Sequence, residues 1–175
     1  SSLDMELRGG LHGLSEVEGE RRFEVLAASL LGALLKNFQA RCAALHLISN
    51  PDHEGVRQVE EVLVRSVGGQ RLSGTIDHEL LESLGSLEAP QLIQGSDPAA
   101  PDPILSYAIP LIDGERVLIL LEGNSGTEFD KAAAATLRSM INHVQFDIVD
   151  IYLISRQAKL ITNLESRLEK LEEVL

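Results

Sequence analysis

The chain's 175 residues suffice for one domain with an extension, and 44% hydrophobic content with 3% aromatics and no Trp means a core of Leu, Ile, Val and Ala. Fifteen basic against twenty-seven acidic residues leave a net charge of −12. That argues against nucleic acid, whose binding rests on phosphate neutralisation, and against anionic membrane surfaces.

Cys42 is the single cysteine, so an internal disulfide and a cysteine-based zinc set are excluded, and a reducing cytoplasm is the expected compartment. No apolar run approaches the roughly 18 residues of a membrane span. The opening SSLDMELRGG lacks the basic and apolar regions of a signal peptide.

Residues 1–19 carry Gly9, Gly10, Gly13 and Gly19 and little periodicity, and read as an N-terminal lead. From Glu20 to Phe38 the apolar residues Phe23, Val25, Leu26, Leu30, Leu31, Leu34, Leu35 and Phe38 recur mostly at spacings of three and four. This is an amphipathic helix whose stripe is wide enough for two surfaces. Arg41–Ser49 is a short apolar run closed by Asn50-Pro51-Asp52, hence a strand ending in a turn. Alternation puts Cys42, Ala44, His46 and Ile48 on one face and Ala43, Leu45 and Leu47 on the other. A second strand is predicted over Gln58–Val67, a helix over Ile76–Leu87, and a brief strand over Pro90–Gln94. The three prolines of Gly95–Pro103 then make a loop.

Ile104–Ile112 and Glu115–Glu122 are apolar runs joined at Asp113-Gly114. Asp-Gly between two such runs predicts a two-residue hairpin turn with positive φ at both central positions. Thr127 is expected to open the next helix, with Thr127-Glu-Phe-Asp130 resembling a capping box. No Pro follows Pro110 and no Gly follows Gly126, so nothing stops that helix before Leu175. Its length exceeds what one small domain covers. The charged helix ending at Leu175 points to a piece of a longer chain.

These elements make an α+β fold, an antiparallel sheet flanked by helices. Ser106-Tyr-Ala-Ile-Pro-Leu111, Asp113-Gly114-Glu-Arg-Val117, Leu120 to Asn124 and Thr127-Glu-Phe-Asp130 carry a more specific pattern. In order they give apolar-x-apolar-Pro-Leu, a Gly turn, an apolar strand, and a Phe before a helix-capping residue. The pattern resembles the GAF family of small-molecule-sensing domains, which are related in shape to PAS domains, and it covers residues 23 to 147. One departure stands out. Many members carry a Gly early in the second hairpin strand, where this chain has Val117-Leu118-Ile119, and that favours a filled pocket.

The resemblance also sets which chemistries to weigh. One branch of the family reduces free methionine sulfoxide through several cysteines, and a lone Cys42 cannot complete such a cycle. A bilin anchor is followed by His, whereas Cys42 is followed by Ala43, so Cys42 reads as a small buried hydrophobe. No two of His12, His46, His53, His78 and His143 sit three or four apart, so no helical metal-ligand pair exists. The cyclic-nucleotide signature is incomplete: Asn124 and Phe129 are present, but Ser125 follows Asn124 and no Asp-Glu pair comes downstream. No catalytic residue, cofactor or metal is expected, and the chain does not read as an enzyme. His46, Arg57, Arg65 and Tyr107 are the candidate ligand-binding groups because they lie on or beside the sheet. Their plainer reading is as ordinary sheet or loop residues.

At the far end, Ile154, Gln157, Ile161, Leu164, Leu168, Leu171 and Leu175 step by three and four without exception. With Ile154, Ile161, Leu168 and Leu175 as a positions and Gln157, Leu164 and Leu171 as d, this is a parallel coiled-coil seam. Arg167 at g then meets Glu172 at the partner's e. The competing reading is a single helix folded back on its own domain.

The expected organisation is a lead at 1–19, a GAF-like sensory domain at 20–147 and a coiled-coil signalling helix at 148–175. The expected function is a regulatory input domain of a cytoplasmic bacterial signalling protein. It forms a parallel homodimer and relays a small-molecule or partner signal to an output domain of the same chain, such as a diguanylate cyclase, a cyclic-di-GMP phosphodiesterase or a kinase. The alternative is a ligand-free dimerisation scaffold with a degenerate pocket.

Overall fold

A computed structural model of the chain describes residues 16–69, 71–72, 76–87, 90–93, 102–111, 114–124, 127 and 129–175. Most of the predicted N-terminal lead, most of the proline-rich loop and Asp113 lie outside the described residues. The chain divides into two compact units, one running from Ala27 to Gln145 and the other combining the residues up to Leu26 with Phe146–Leu175.

Helix α1 spans Glu16–Phe38 and ends on Gln39, which takes a left-handed φ of 51°. β1 (Cys42–Ile48) and β2 (Val59–Ser66) follow, joined by a loop in which Asp52 Oδ1 accepts from the Glu54 and Val56 amides at 2.8 and 2.9 Å. α2 covers His78–Gly85, a turn shorter than its leucine spacing predicted, because Asp77 caps it by accepting from the Leu80 amide at 2.9 Å. β3 is Gln91–Ile93, β4 Ile104–Pro110 and β5 Arg116–Glu122. A single helix, α3, then runs 44 residues from Lys131 to Val174.

Two local expectations are corrected. Pro110 pairs with Arg116 and the Leu111 amide donates to the Glu115 carbonyl at 2.8 Å, which leaves three residues in the hairpin loop rather than two. Gly114, at φ 81°, supplies the left-handed residue that such a loop needs at its end. The N-cap of α3 is Asp130, not Thr127: Asp130 Oδ1 accepts from the Ala133 amide at 2.8 Å. Thr127 is occupied elsewhere, its Oγ1 accepting from the Asn124 amide at 3.0 Å. Phe129, 2% exposed, is buried just ahead of the cap.

The five strands form one antiparallel sheet in the order β2-β1-β5-β4-β3. Cross-strand partners share a face, so the register sorts the sheet in two. One face carries Cys42, Ala44, His46 and Ile48 of β1, Arg116, Leu118, Leu120 and Glu122 of β5, and Ile104, Ser106, Ala108 and Pro110 of β4. α2 lies on this face, where Leu81 and Leu84 join Ile48, Ile104, Ala108, Leu118 and Leu120 in one apolar cluster. Gly85 permits the close fit, since a Cβ there would stand 2.1 Å from Ile48 Cδ1. On the opposite face Ala43, Leu45, Leu105, Ile109, Val117, Ile119 and Leu121 have no exposure. The matching buried stripes are Ala27, Leu30, Leu31 and Leu34 of α1 and Leu137 and Ile141 of α3.

Candidate functional site

The α2 face is apolar at its centre and polar at specific points, and a bulge fixes one of them. Leu45 pairs with Leu63 but His46 pairs with Glu61, so Val62 is an extra residue in β2. Alternation continued from Val64 would put Glu61 on the opposite face. The bulge reverses it and brings Glu61 beside His46.

His46 is 3% exposed, its Nε2 lies 3.9 Å from Glu61 Oε2, and its Nδ1 has no hydrogen-bond partner among the described residues. Burial pushes the imidazole pKa down and Glu61 offsets only part of that, so the ring is neutral near pH 7. Two more buried polar atoms on this face have no partner among the described residues, Ser106 Oγ and Arg116 Nη1. Buried polar atoms are paired with few exceptions. Three such atoms on one face are exceptions to that rule among the described residues.

At the other end of the face stands a clamp. Glu122, 1% exposed, is paired with Arg41 Nη2, while Arg41 Nη1 donates to the Arg71 carbonyl at 3.1 Å and Nε lies 3.9 Å from Asp102. The Arg41 amide also donates to the Glu122 carbonyl at 2.8 Å. This cluster ties the start of β1 to the end of β5 and is structural. Next to it Cys42 is fully buried and free, and burial raises its thiol pKa despite the Arg41 charge. The thiol stays protonated and acts as a small hydrophobe.

The structure does not bring the four sequence-predicted ligand groups together. His46 faces α2. Tyr107 pairs with Ile119 on the opposite face and is 8% exposed. Arg65 shares that opposite face, opposite Ala43, with Nη1 donating to the Val64 carbonyl at 3.3 Å. Arg57 is a loop staple: Nη1 donates to the Ser49 and Gly114 carbonyls at 3.2 and 3.3 Å, joining the β1–β2 loop to the hairpin loop. Sequence reading missed Ser106, Arg116 and Glu61. Two of the three carried a signal, a Ser and an Arg inside or at the edge of otherwise apolar strands; Glu61 needed the bulge.

Most of the heptad residues expose apolar surface. Ile161, Leu164, Leu168 and Leu171 are 50–60% exposed, Leu175 fully, with Ile154 half-buried and Gln157 exposed. At about 100° per residue, Phe146, Leu153 and Leu160 fall on the same side of α3, and Phe146 is 77% exposed. The other side is occupied. Ile148 and Ala158 are buried, and Tyr152 meets Phe23 of α1 with ring centroids 5.8 Å apart.

No helix among the described residues is long and apolar enough to cross a membrane. No family model and no curated protein matches the chain. Among solved structures it is similar to a GAF domain/HD domain protein from Geobacter sulfurreducens, at 12% identity over 82% of this chain and 97% of that one, with a TM-score of 0.53. It is also similar to the photoproduct state of a GAF domain from Synechocystis sp., at 8% identity over 81% and 98% of the two chains, with a TM-score of 0.52. At such identities the likeness is one of fold, and the chain has the sheet-and-helix architecture of GAF domains.

Proposed function

We propose that the chain is a regulatory input domain that works as a parallel homodimer and passes a small-molecule or partner signal along α3 to an output domain. A diguanylate cyclase, a cyclic-di-GMP phosphodiesterase or a kinase fits that role, in a bacterial cytoplasm. The domain carries no catalysis of its own. The observation that carries the reading is the open apolar side of α3 from Phe146 to Leu175, opposite the side that Phe23 already covers. A second copy can use that side without displacing α1.

The same helix buries Leu137 and Ile141 in the unit that holds the sheet, so one continuous helix belongs to both the sensing and the pairing parts. A ligand acts through it only by binding two helix arrangements unequally, because equal affinity shifts nothing.

Equilibrium sedimentation at about 30 µM, where a micromolar dimer is populated, is expected to give a dimer that Leu164→Asp with Leu168→Asp converts to monomer. A monomeric unaltered chain at that concentration refutes the reading.

A second reading, a scaffold without ligand, is favoured by Leu118 and Leu120, which meet Leu81 and Leu84 where a pocket would lie. Thermal-shift screening separates the two. Ligand at a hundred times Kd adds about 2.7 kcal/mol, and one reproducible hit removes the scaffold reading.

A further inference from the structure

We propose that a groove between the first turns of α3 and the start of β3 docks an extended acidic segment of a partner protein, with Arg138 taking one of its carboxylates. This surface is separate from the α2 face, and its use does not depend on the pairing of α3.

The groove has a volume of about 520 Å³ and is walled by Pro90, just ahead of β3, and by Ala134, Ala135, Arg138, Ser139, Asn142 and His143 of α3. All of them lie in the unit that holds the sheet, and none belongs to the α2 face. Residues three and four apart on a helix stand about 5–6 Å from each other, so Arg138 neighbours Asn142, Asn142 neighbours Ser139, and Ser139 neighbours His143. The result is one connected patch of donors: a guanidinium, an amide, a hydroxyl and an imidazole. Among the described residues no ion pair takes Arg138 or His143. Ala134, Ala135 and Ser139 are short and let a backbone approach the helix between the longer donors. Pro90 adds an apolar wall with no N–H of its own.

Charge selects the partner. From Lys131 to Phe146, α3 carries Lys131, Arg138 and His143 and no Asp or Glu, in a chain with 27 acidic residues. The groove's lining likewise holds no carboxylate. A carboxylate arriving there meets a guanidinium, which can hold it through two parallel N–H···O bonds, and no like charge in the wall. Nucleic acid is disfavoured by the net charge of −12. A lone small anion is a poor fit as well. Arg138, Ser139, Asn142 and His143 are all exposed, and one exposed ion pair changes an affinity by no more than about fivefold. A segment adds contacts along the groove. Ala134 to His143 spans about 14 Å on the helix axis, the length of about four extended residues. Alternate residues of an extended segment share a face and stand about 7 Å apart. Acidic residues at i and i+2 therefore reach Arg138 and the Asn142–His143 end together.

The test is NMR of the unaltered, nitrogen-15-labelled chain at low salt. It is titrated with a short peptide of alternating Glu and Ala to about 2 mM, enough to populate a site of millimolar Kd. The same peptide with Gln for Glu, and sodium acetate at matched carboxylate concentration, are the comparisons. The Glu peptide is expected to move the signals of residues 134–143, and the Gln peptide and acetate to leave them in place. The movement is expected to shrink as salt rises past about 0.15 M, where exposed charges are screened. Arg138→Glu, checked for folding by circular dichroism, is expected to weaken peptide binding roughly 5- to 25-fold, through one exposed attraction lost and a repulsion of similar size gained. If that variant misfolds, Arg138→Gln takes its place, with an expected loss of up to about fivefold. Signals unmoved by the Glu peptide overturn the proposal, as does binding undiminished in the variant. Equal movement by the Gln peptide overturns it because charge then selects nothing, and equal movement by acetate because the groove then takes a small anion. Peptide bound to a chain that sediments as a monomer supports the groove even though the dimeric relay fails. A dimer that binds no peptide overturns the groove alone.

Discussion

Replacing Arg41 tests the clamp at the edge of the sheet. Arg41→Met keeps the aliphatic reach and deletes the guanidinium. Glu122, 1% exposed, then loses its charge partner in a site where water cannot replace it. Breaking a buried pair from one side costs about 3–5 kcal/mol, and losing the bond to the Arg71 carbonyl adds roughly 1 kcal/mol. For a chain of 175 residues each kcal/mol lowers Tm by about 2–4 °C, so a loss near 4 kcal/mol appears as roughly 8–16 °C. Denaturant and thermal melts of Arg41→Met, Glu122→Gln and the double variant close a double-mutant cycle. The double variant is expected to recover much of the loss because its carboxylate charge is gone. A loss below about 1 kcal/mol in Arg41→Met, the scale of an exposed pair, refutes the clamp, as does strict additivity in the cycle.

Gly85→Ala is expected to destabilise by about 1–3 kcal/mol, the usual range for overpacking, because its methyl meets Ile48 Cδ1 at 2.1 Å in the buried cluster; a neutral melt would mean that the Ile48 end group rotates aside. The pH profile of stability is expected to fall as pH drops below about 6.5. Burial lowers the folded-state pKa of His46, so the unfolded chain binds that proton more readily, and stability is full above the unfolded pKa and lost below it. His46→Gln is expected to flatten the profile, and urea melts at several pH values compare the two. Gln39→Gly relieves a left-handed residue at the end of α1 and is expected to stabilise by roughly 0.5–1 kcal/mol on the helix-end preference for Gly, read as a higher urea midpoint.

Element order and strand limits were legible because apolar periodicity is local. Cys42–Ile48 and Arg116–Glu122 sit within a residue or two of the apolar runs that predicted them. What local pattern misses is competition between neighbouring caps and the geometry of pairing. Thr127 and Asp130 both suit an N-cap, and only the Asn124 bond to Thr127 decides for Asp130. The same limit explains the candidate site. Tyr107 and His46 were grouped because both lie on strands, but a strand sends alternate residues to opposite faces, and pairing across β5 separates the two. Glu61 reaches His46 only through the extra residue at Val62, which alternation cannot foresee.

The departure at Val117-Leu118-Ile119 bears differently on the two faces. Val117 and Ile119 pack on the face opposite α2 and say nothing about a pocket; Leu118 alone fills the α2 face. It stands between His46 and Ala108 in the register. A small side chain at 118 would open apolar space beneath Leu81 and Leu84 on that face.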